Sequence, residues 1–289
     1  MYPPVSIVIT SYNRANMLKR CIDSLLRLDY PKYEIVIVND GSTDNTKKML
    51  KLYKNKVHVI NHKTNKGTGA GKTSGILAAK NDLVALIDDD CIVHRDWLKV
   101  LVENLIKNMD DKVAAVTTIG IYTGHSICYL KKIVIKAGLF DESFSMAFRE
   151  DTDLAFRILD LGYKIMYIRG EKFIHDPPLP KTLEQKIKFI KRRLLVHQMD
   201  CLLFKKHPKR TKEFLNVKYR IVSPFKDFKN ATGLWRGKRS WEISSPQGII
   251  LLKGNNLTKY IIFLSGVLYA ILLKFVRLYG SIKFDTFLV

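Results

Sequence analysis

The sequence predicts an α/β protein, with a mostly parallel sheet flanked by helices and followed by a basic helical C-terminal extension. Three observations lead there. Strand-like and helix-like runs alternate through the first 120 residues. The strand-like runs are continuously apolar rather than alternating, as expected of strands covered on both faces. Polar and acidic residues collect just after those runs, where parallel sheets bind ligands. The bulk values agree: 289 residues with 47% hydrophobic and 26% charged content are globular figures.

The elements follow in order. "VSIVIT" (5–10) reads as a buried strand, and "NMLKRCIDSLL" (16–26) places Leu18, Ile22, Leu25 and Leu26 on one helical face. "YEIVIVND" (33–40) is a second strand, and "STDNTKKMLKLY" (42–53) starts with good helix caps. "KVHVINH" (56–62) is a third strand, "SGILAAK" (74–80) lies in a helix, and "LVALIDDD" (83–90) is a fourth strand. The helix "RDWLKVLVENLIKNM" (95–109) follows. Three strand ends, "TSYN" (10–13), "NDGST" (39–43) and "DDD" (88–90), then describe one crevice.

Past residue 120 the alternation is irregular. "KKIVIKAGLFDESF" (131–144) leads to "REDTDLAFRILDLGYKI" (149–165), a helix with Gly162 placed as its stop. Between 181 and 220, thirteen Lys or Arg face three acids, a local balance of +10. Residues 221–258 give no assignment, and "YIIFLSGVLYAILLKFV" (260–276) is apolar on every side except Lys274. The expected organisation is one domain over 1–180, binding nucleotide through 1–120 and acceptor through 121–180, and a basic helical region over 181–289.

The formal charge of +22 calls for an anionic partner: nucleotide, nucleic acid or acidic membrane. Cys21, Cys91, Cys128 and Cys201 lie far apart without a CxxC pair, which argues against a zinc site or a disulfide framework and suits a reducing compartment. The apolar run at 5–10 is too short for a signal peptide.

The stretch "NKGTGAGKTSG" (65–75) resembles a phosphate-binding loop, but the spacing fails. A Walker A loop has four residues between its first glycine and Gly-Lys. That position is Lys66, and Gly67 is one residue too close. Lys72 would meet a phosphate only as a point charge. Asp88-Asp89-Asp90 is the stronger feature, because adjacent carboxylates at a strand end repel unless a cation sits among them. Such hard oxygen ligands suit Mg²⁺ or Mn²⁺. The alternative is an acidic loop capping the next helix. Asp151 or Glu150 in "FREDTDLAFR" (148–157) is a candidate general base or an ordinary first-turn helix charge. His175 in "FIHDPP" is a candidate third ligand or a structural histidine.

Together, "VSIVITSYNRANMLKRCIDSLLRLDYPKYEIVIVNDGSTDNT", "NKGTGAGKTSGILAAKNDLVALIDDDCIVHRDWL", "AGLFDESF" and "REDTDLAFRILDLGYKI" resemble family 2 glycosyltransferases, inverting enzymes of the Rossmann-like GT-A fold. The resemblance covers about residues 5 to 180. It implies that Thr10, Tyr12 and Arg14 line the nucleotide pocket and that Asp40 hydrogen-bonds the base. It further implies that Asp88 and Asp90, with Asp89 between them, form the DxD element on ribose and metal. Asp151 would be the catalytic base, Glu150 would lie near the acceptor, and His175 would approach the metal. The chain departs from the usual pattern at Asn39-Asp40, where many members have Asp-Asp, and at Gly71-Lys72-Thr73, where many have Ala-Arg-Asn. Lys72 would stand in for that arginine.

The implied activity is transfer of a sugar from a nucleoside-diphosphate sugar, with Mn²⁺ or Mg²⁺, to a hydroxyl on a glycan or lipid-linked glycan. The basic region and the apolar segment suggest a cytoplasmic enzyme held at the membrane face by peripheral contact or a single span. The alternatives are a solvated basic face and a helix buried in a core or dimer, and the run lacks the polar face of a typical interfacial helix. Two other classes share some of the pattern: a catalytically inactive nucleotide-sugar binding module and a basic nucleic-acid-binding protein. Nucleic acid is not expected, since the basic region has few aromatics and no recognised binding motif.

Overall fold

The computed structural model describes residues 2–145, 147–170, 172–176, 180–218, 221–222, 241–245, 248–252 and 256–289, with 241–263 and 265 as backbone only. The unassigned stretch 221–258 lies largely outside them. The chain forms two compact units, Met1–Asp176 and Pro177–Val289.

Among the described residues of the first unit, β1 (Val5–Ser11), β2 (Tyr33–Asn39), β3 (His58–Asn61) and β4 (Leu83–Leu86) pair in parallel. They continue into β6 (Val113–Thr117), β7 (Ile127–Leu130) and β8 (Lys164–Tyr167), giving the order β3-β2-β1-β4-β7-β6-β8. Only β7 runs antiparallel to its neighbours, β4 and β6. The sheet is therefore mixed and mostly parallel. Its central strands carry apolar residues on both faces because both are covered: Val5, Ile7, Val8 and Ile9 are all buried. The register sets Ser11 beside Asn39 and Asn39 beside Asn61, so three polar strand ends line one carboxyl edge.

The flanking helices include α1 (Ala15–Leu25), α2 (Thr46–Leu50), α3 (Thr68–Ala78) and α4 (Trp97–Lys107). α1 buries Leu18, Ile22 and Leu25, while Leu26, just past its end, is half-buried. α2 starts later than its caps suggest, since Asp44 Oδ1 accepts from both the N–H and the hydroxyl of Thr46 and holds 42–45 as a turn. The fourth strand ends at Leu86 rather than Asp90. The chain then turns into β5 (Cys91–Val93), which leaves the sheet to pair with β9 (Phe173–His175).

α3 accounts for the glycine-rich stretch. It begins directly after Gly67, so Gly69, Gly71 and Gly75 sit inside a helix rather than in a loop. A Cβ on Gly71 would meet Thr10 Cγ2 at 2.2 Å, and one on Gly75 would meet Val8 Cγ1 at 2.3 Å. These glycines let the helix backbone lie against β1.

The second segment of the unit adds α5 (Lys131–Lys136) and α6 (Glu150–Asp160). α6 ends before Gly162, which takes φ +80°, and the apolar residues beyond it enter β8 instead of extending the helix.

The second unit contains α7 (Leu183–Leu195), α8 (Met199–Lys206), α9 (Pro208–Leu215) and α10 (Asn256–Lys283). It is not wholly helical: β10 (Val217–Lys218) pairs with β11 (Ile221–Val222), and β12 (Trp241–Ser245) with β13 (Gly248–Leu252). Cys201, Phe204, Leu215, Val222 and Leu288 form a small core. The apolar segment 260–276 lies within α10. Among the described residues, no helix is long and apolar enough to cross a membrane, so the single-span expectation finds no support there. α10 carries Arg277 on its packed side, fully buried, with Nε 3.1 Å from Asp200 Oδ2.

Candidate active site

The Asp88–Asp90 turn sits where β4 leaves the sheet, and each carboxylate meets a different environment. Asp89 is buried; Ser11 Oγ donates to it at 2.6 Å and Arg14 Nη1 at 2.9 Å. Burial pushes its carboxyl up to about 6 despite Arg14 and Ser11. Arg14 Nη1 also donates to Asp90 Oδ2 at 3.1 Å. Burial opposes ionisation of Asp90, but His175 and Arg14 outweigh it and hold that carboxyl below the usual range. Asp88, the most exposed of the three, has 38% of its side chain open to solvent.

Two histidines approach this turn by pairings far apart in sequence. The β5–β9 ribbon sets Cys91 opposite His175, which brings His175 Nε2 to 3.2 Å from Asp90 Oδ1. The neighbouring Asp90 carboxylate raises the imidazole above its ordinary value. His125 has no signal in the sequence pattern. Because β7 runs antiparallel to β4, with Ile127 beside Leu86, its entry end meets the exit of β4. Ser126, which accepts from Trp97 Nε1 at 2.9 Å, anchors that end. His125 Nδ1 then lies 3.6 Å from Asp88 Oδ2, with its ring 5.5 Å from that of His175. Cys91 is the other unforeseen neighbour: ligand atoms of Asp90, Cys91 and His175 lie within 4.8 Å of one another. Burial pushes its thiol up.

Glu150 and Asp151 open α6. Arg149, just before them, adopts a left-handed conformation at φ +76°. Such a conformation is costly for a non-glycine residue and typical of functional positions. Lys72, buried on α3, places Nζ 2.7 Å from Asp151 Oδ1 and 3.7 Å from Glu150 Oε1. Burial works to lower the Lys72 ammonium, but Asp151 and Glu150 outweigh it and raise it. Glu150 is pushed up to about 7, by burial first and then by Asp151, with Lys72 opposing. Gly124 covers the other side of Asp151: a Cβ there would fall 1.7 Å from Asp151 Oδ1. The charge of Asp88 reaches both Lys72 and Glu150, so the two acidic groups lie near enough to interact. Lys72, expected against a phosphate, is thus engaged with the carboxylates of α6.

The remaining predicted residues are more dispersed. Asp40 is buried and accepts from the N–H groups of Lys66 and Gly67, both at 2.9 Å. His62 Nδ1 lies 2.6 Å from it, and His62 Nε2 lies 3.0 Å from Ser74 Oγ. Asp40 therefore organises the entry to α3, and is linked to the triple-aspartate turn through Ser11, whose carbonyl accepts from the Asp40 N–H at 2.9 Å. Tyr12 is 44% exposed. Among the described residues, three buried side-chain oxygens have no hydrogen-bond partner: Thr10 Oγ1, Asp90 Oδ1 and Glu150 Oε2. His175 is close to Asp90 Oδ1 but not aligned to donate. All three oxygens belong to residues that the sequence nominates, and buried polar atoms left unpaired call for a missing ligand or ion.

The model of glycosyl transferase family 2 matches residues 6–155, just over half of the chain, which belongs to that family and is classed among the glycosyltransferase enzymes. Curated relatives include the glycosyltransferase GlyG of Streptococcus pneumoniae, 30% identical over 38% of this chain and 37% of its own. The chondroitin synthase of Pasteurella multocida is 36% identical over 40% of this chain and 12% of its own. The chain thus covers little more than a third of the length of the relatives it matches, or less. Among solved structures, a mannosyltransferase from Pyrobaculum calidifontis in complex with GDP-Man and Mn²⁺ superposes with a TM-score of 0.65 at 16% identity, covering 97% of this chain and 88% of that one. S. aureus TarS 1-349 in complex with UDP-GlcNAc gives 0.50 at 18%, covering 67% and 65%. These likenesses show the GT-A fold.

Proposed function

We propose that the N-terminal unit is the catalytic domain of an inverting, metal-dependent glycosyltransferase that moves a sugar from a nucleoside-diphosphate sugar to a hydroxyl on a glycan or lipid-linked glycan. The observation that carries this reading is the set of three buried, unpartnered oxygens at Thr10, Asp90 and Glu150. Donor, ion and acceptor would each satisfy one of them. The GDP-Man and Mn²⁺ of the Pyrobaculum structure and the polysaccharide named in the Pasteurella relative support the choice of donor, metal and acceptor class.

In this reading Asp151 takes the proton from the attacking hydroxyl. Lys72 holds the Asp151 carboxylate in place, and Glu150 stands beside it toward the acceptor. Thr10, Tyr12, Arg14 and Asp40 shape the nucleotide side, with Arg14 bracing Asp89 and Asp90. Asp90, Asp88 and His175 would hold a Mn²⁺ or Mg²⁺ ion, and the partnerless Asp90 Oδ1 beside an imidazole fits such an ion. When bound, the ion would neutralise the departing diphosphate. The reading includes a cytoplasmic location with peripheral membrane contact through the C-terminal unit.

Asp151→Asn tests the base. Donor binding, followed by calorimetry, is expected to stay within about twofold, while turnover falls by roughly 10²–10⁴. Near-normal turnover removes Asp151 from the role. Asp90→Ala is expected to abolish the gain in nucleoside-diphosphate affinity that Mn²⁺ provides. An unchanged Mn²⁺ dependence would place the ion elsewhere. A chain that binds donors yet transfers nothing to any acceptor would be an inactive module. One that binds nucleic acid and no nucleoside diphosphate would overturn the reading.

A further inference from the structure

We infer that the C-terminal unit docks flat on an anionic lipid surface through the outward faces of α7 and α10. This deepens the membrane contact included above and replaces a span with an interfacial seat.

The amphipathicity of α10 is reversed. Its packed side consists of small or polar residues, with Gly266, Ala270, Arg277, Gly280 and Ser281 all buried and Leu273 the one large apolar member. A Cβ on Gly280 would lie 3.0 Å from the backbone of Gln198, so the helix needs small residues there. Its solvent side carries Leu264, Leu268, Ile271, Phe275, Leu278 and Ile282, between 42% and 77% exposed. These recur in alternating steps of four and three, which keeps them on one stripe. A helix at a protein–water boundary shows the opposite arrangement. A continuous apolar stripe differs from the singly scattered apolar residues usual on a monomer's surface and marks an interaction site.

α7 repeats the pattern. Leu183, Ile187 and Ile190 are each more than half exposed. Around them stand Lys186, Lys188, Lys191, Arg192 and Arg193 against one acid, Glu184. A short helix with aliphatic residues on one face and Lys or Arg on the other lies in the plane of a membrane interface. Tyr269 Oη donates to Arg193 O at 3.3 Å and ties α10 to α7.

Charge selects the occupant. α10 contains no Asp or Glu, and residues 181–220 carry a balance of +10, thirteen bases less three acids. Two copies of such a surface repel each other, which disfavours a second chain. Nucleic acid would satisfy the charges and leave both apolar stripes in water. An anionic leaflet satisfies both, with the stripes in the acyl boundary and the cations at the headgroups.

The test is co-sedimentation of the full chain with vesicles of phosphatidylcholine alone or mixed equally with phosphatidylglycerol, beside lipid-free sedimentation velocity. Binding to the mixed vesicles is expected to exceed binding to the neutral ones by tenfold or more and to weaken at high salt. Leu268→Glu with Phe275→Glu is expected to reduce binding to mixed vesicles at least tenfold. Lys186→Glu with Lys191→Glu is expected to remove the preference for anionic lipid, each cation near such a surface being worth about fivefold. All four positions are exposed, and a melting temperature unchanged by the variants confirms that they fold. A chain left in the supernatant with both vesicles overturns the inference. So does a lipid-free dimer that Leu268→Glu with Phe275→Glu separates into monomers. Vesicle binding needs neither donor nor acceptor, so its failure and a failure of sugar transfer are separate results.

Discussion

The two units differ in what they leave on the surface. In the first, charged groups meet in matched sets: buried Lys72 against Asp151 and Glu150, and half-buried Arg14 against buried Asp89 and Asp90. In the second, Arg277 is likewise buried against Asp200, but the cations of α7 stay outside while leucine and isoleucine on α7 and α10 face solvent. Buried ion pairs seldom add net stability, since desolvation offsets the attraction. Their presence in the first unit marks a place where geometry is held at a thermodynamic cost. Exposed apolar stripes mark a place where another surface completes the fold. The contrast teaches that the active cleft and the docking face can be told apart by which kind of group is out of place.

The largest effect is expected from breaking a buried pair. Lys72→Met leaves two carboxylates facing each other without their cation, and urea denaturation is expected to show a loss of about 3–5 kcal/mol. A loss below about 1 kcal/mol would mean that the carboxylates reach water, and that the cleft is no more buried than the docking face.

A smaller effect probes the close approach that carries Lys72 into place. Gly71→Ala puts a methyl group where Thr10 Cγ2 stands, so α3 must shift. A loss of about 1–3 kcal/mol is expected, together with weaker donor binding by calorimetry. Unchanged stability would show that Thr10 yields freely.

The smallest effect sharpens the comparison through pH. Glu150 is pushed up to about 7 from an ordinary value of 4.5. Between those values the folded chain keeps the proton and the unfolded chain releases it, so this group makes stability fall as pH rises through that window. Glu150→Gln removes the fall. Relative to the parent, the variant is expected to gain on the order of 1 kcal/mol or more at pH 8 over pH 5. A difference that does not change with pH would mean that Lys72 already holds Glu150 ionised.

Much of the first unit was legible because its signals are local. Continuous apolar runs mark β1 to β4, and Gly162 marks the end of α6. The acidic triplet and the Glu150-Asp151 pair also stand out in the chain, as does His175. His125 and Cys91 did not, since their places depend on β7 turning antiparallel and on β5 leaving the sheet for β9. Neither pairing has a signature in the residues themselves. The short runs of β6 and β7 were equally silent. α10 shows the converse: its apolar run was plain, but which side faces the unit was not, because Gly280 and Arg277 pack inward.

By itself the sequence determined the α/β class, the acidic carboxyl edge and the failure of the glycine-rich stretch as a Walker loop, since periodicity and spacing are properties of neighbouring residues. Tertiary structure alone decided that this stretch is a helix laid on β1, that Lys72 grips Asp151, and that two histidines flank the triple aspartate. The physical reason is that these depend on contacts between residues distant along the chain, formed only when strand order and register bring backbones within van der Waals reach.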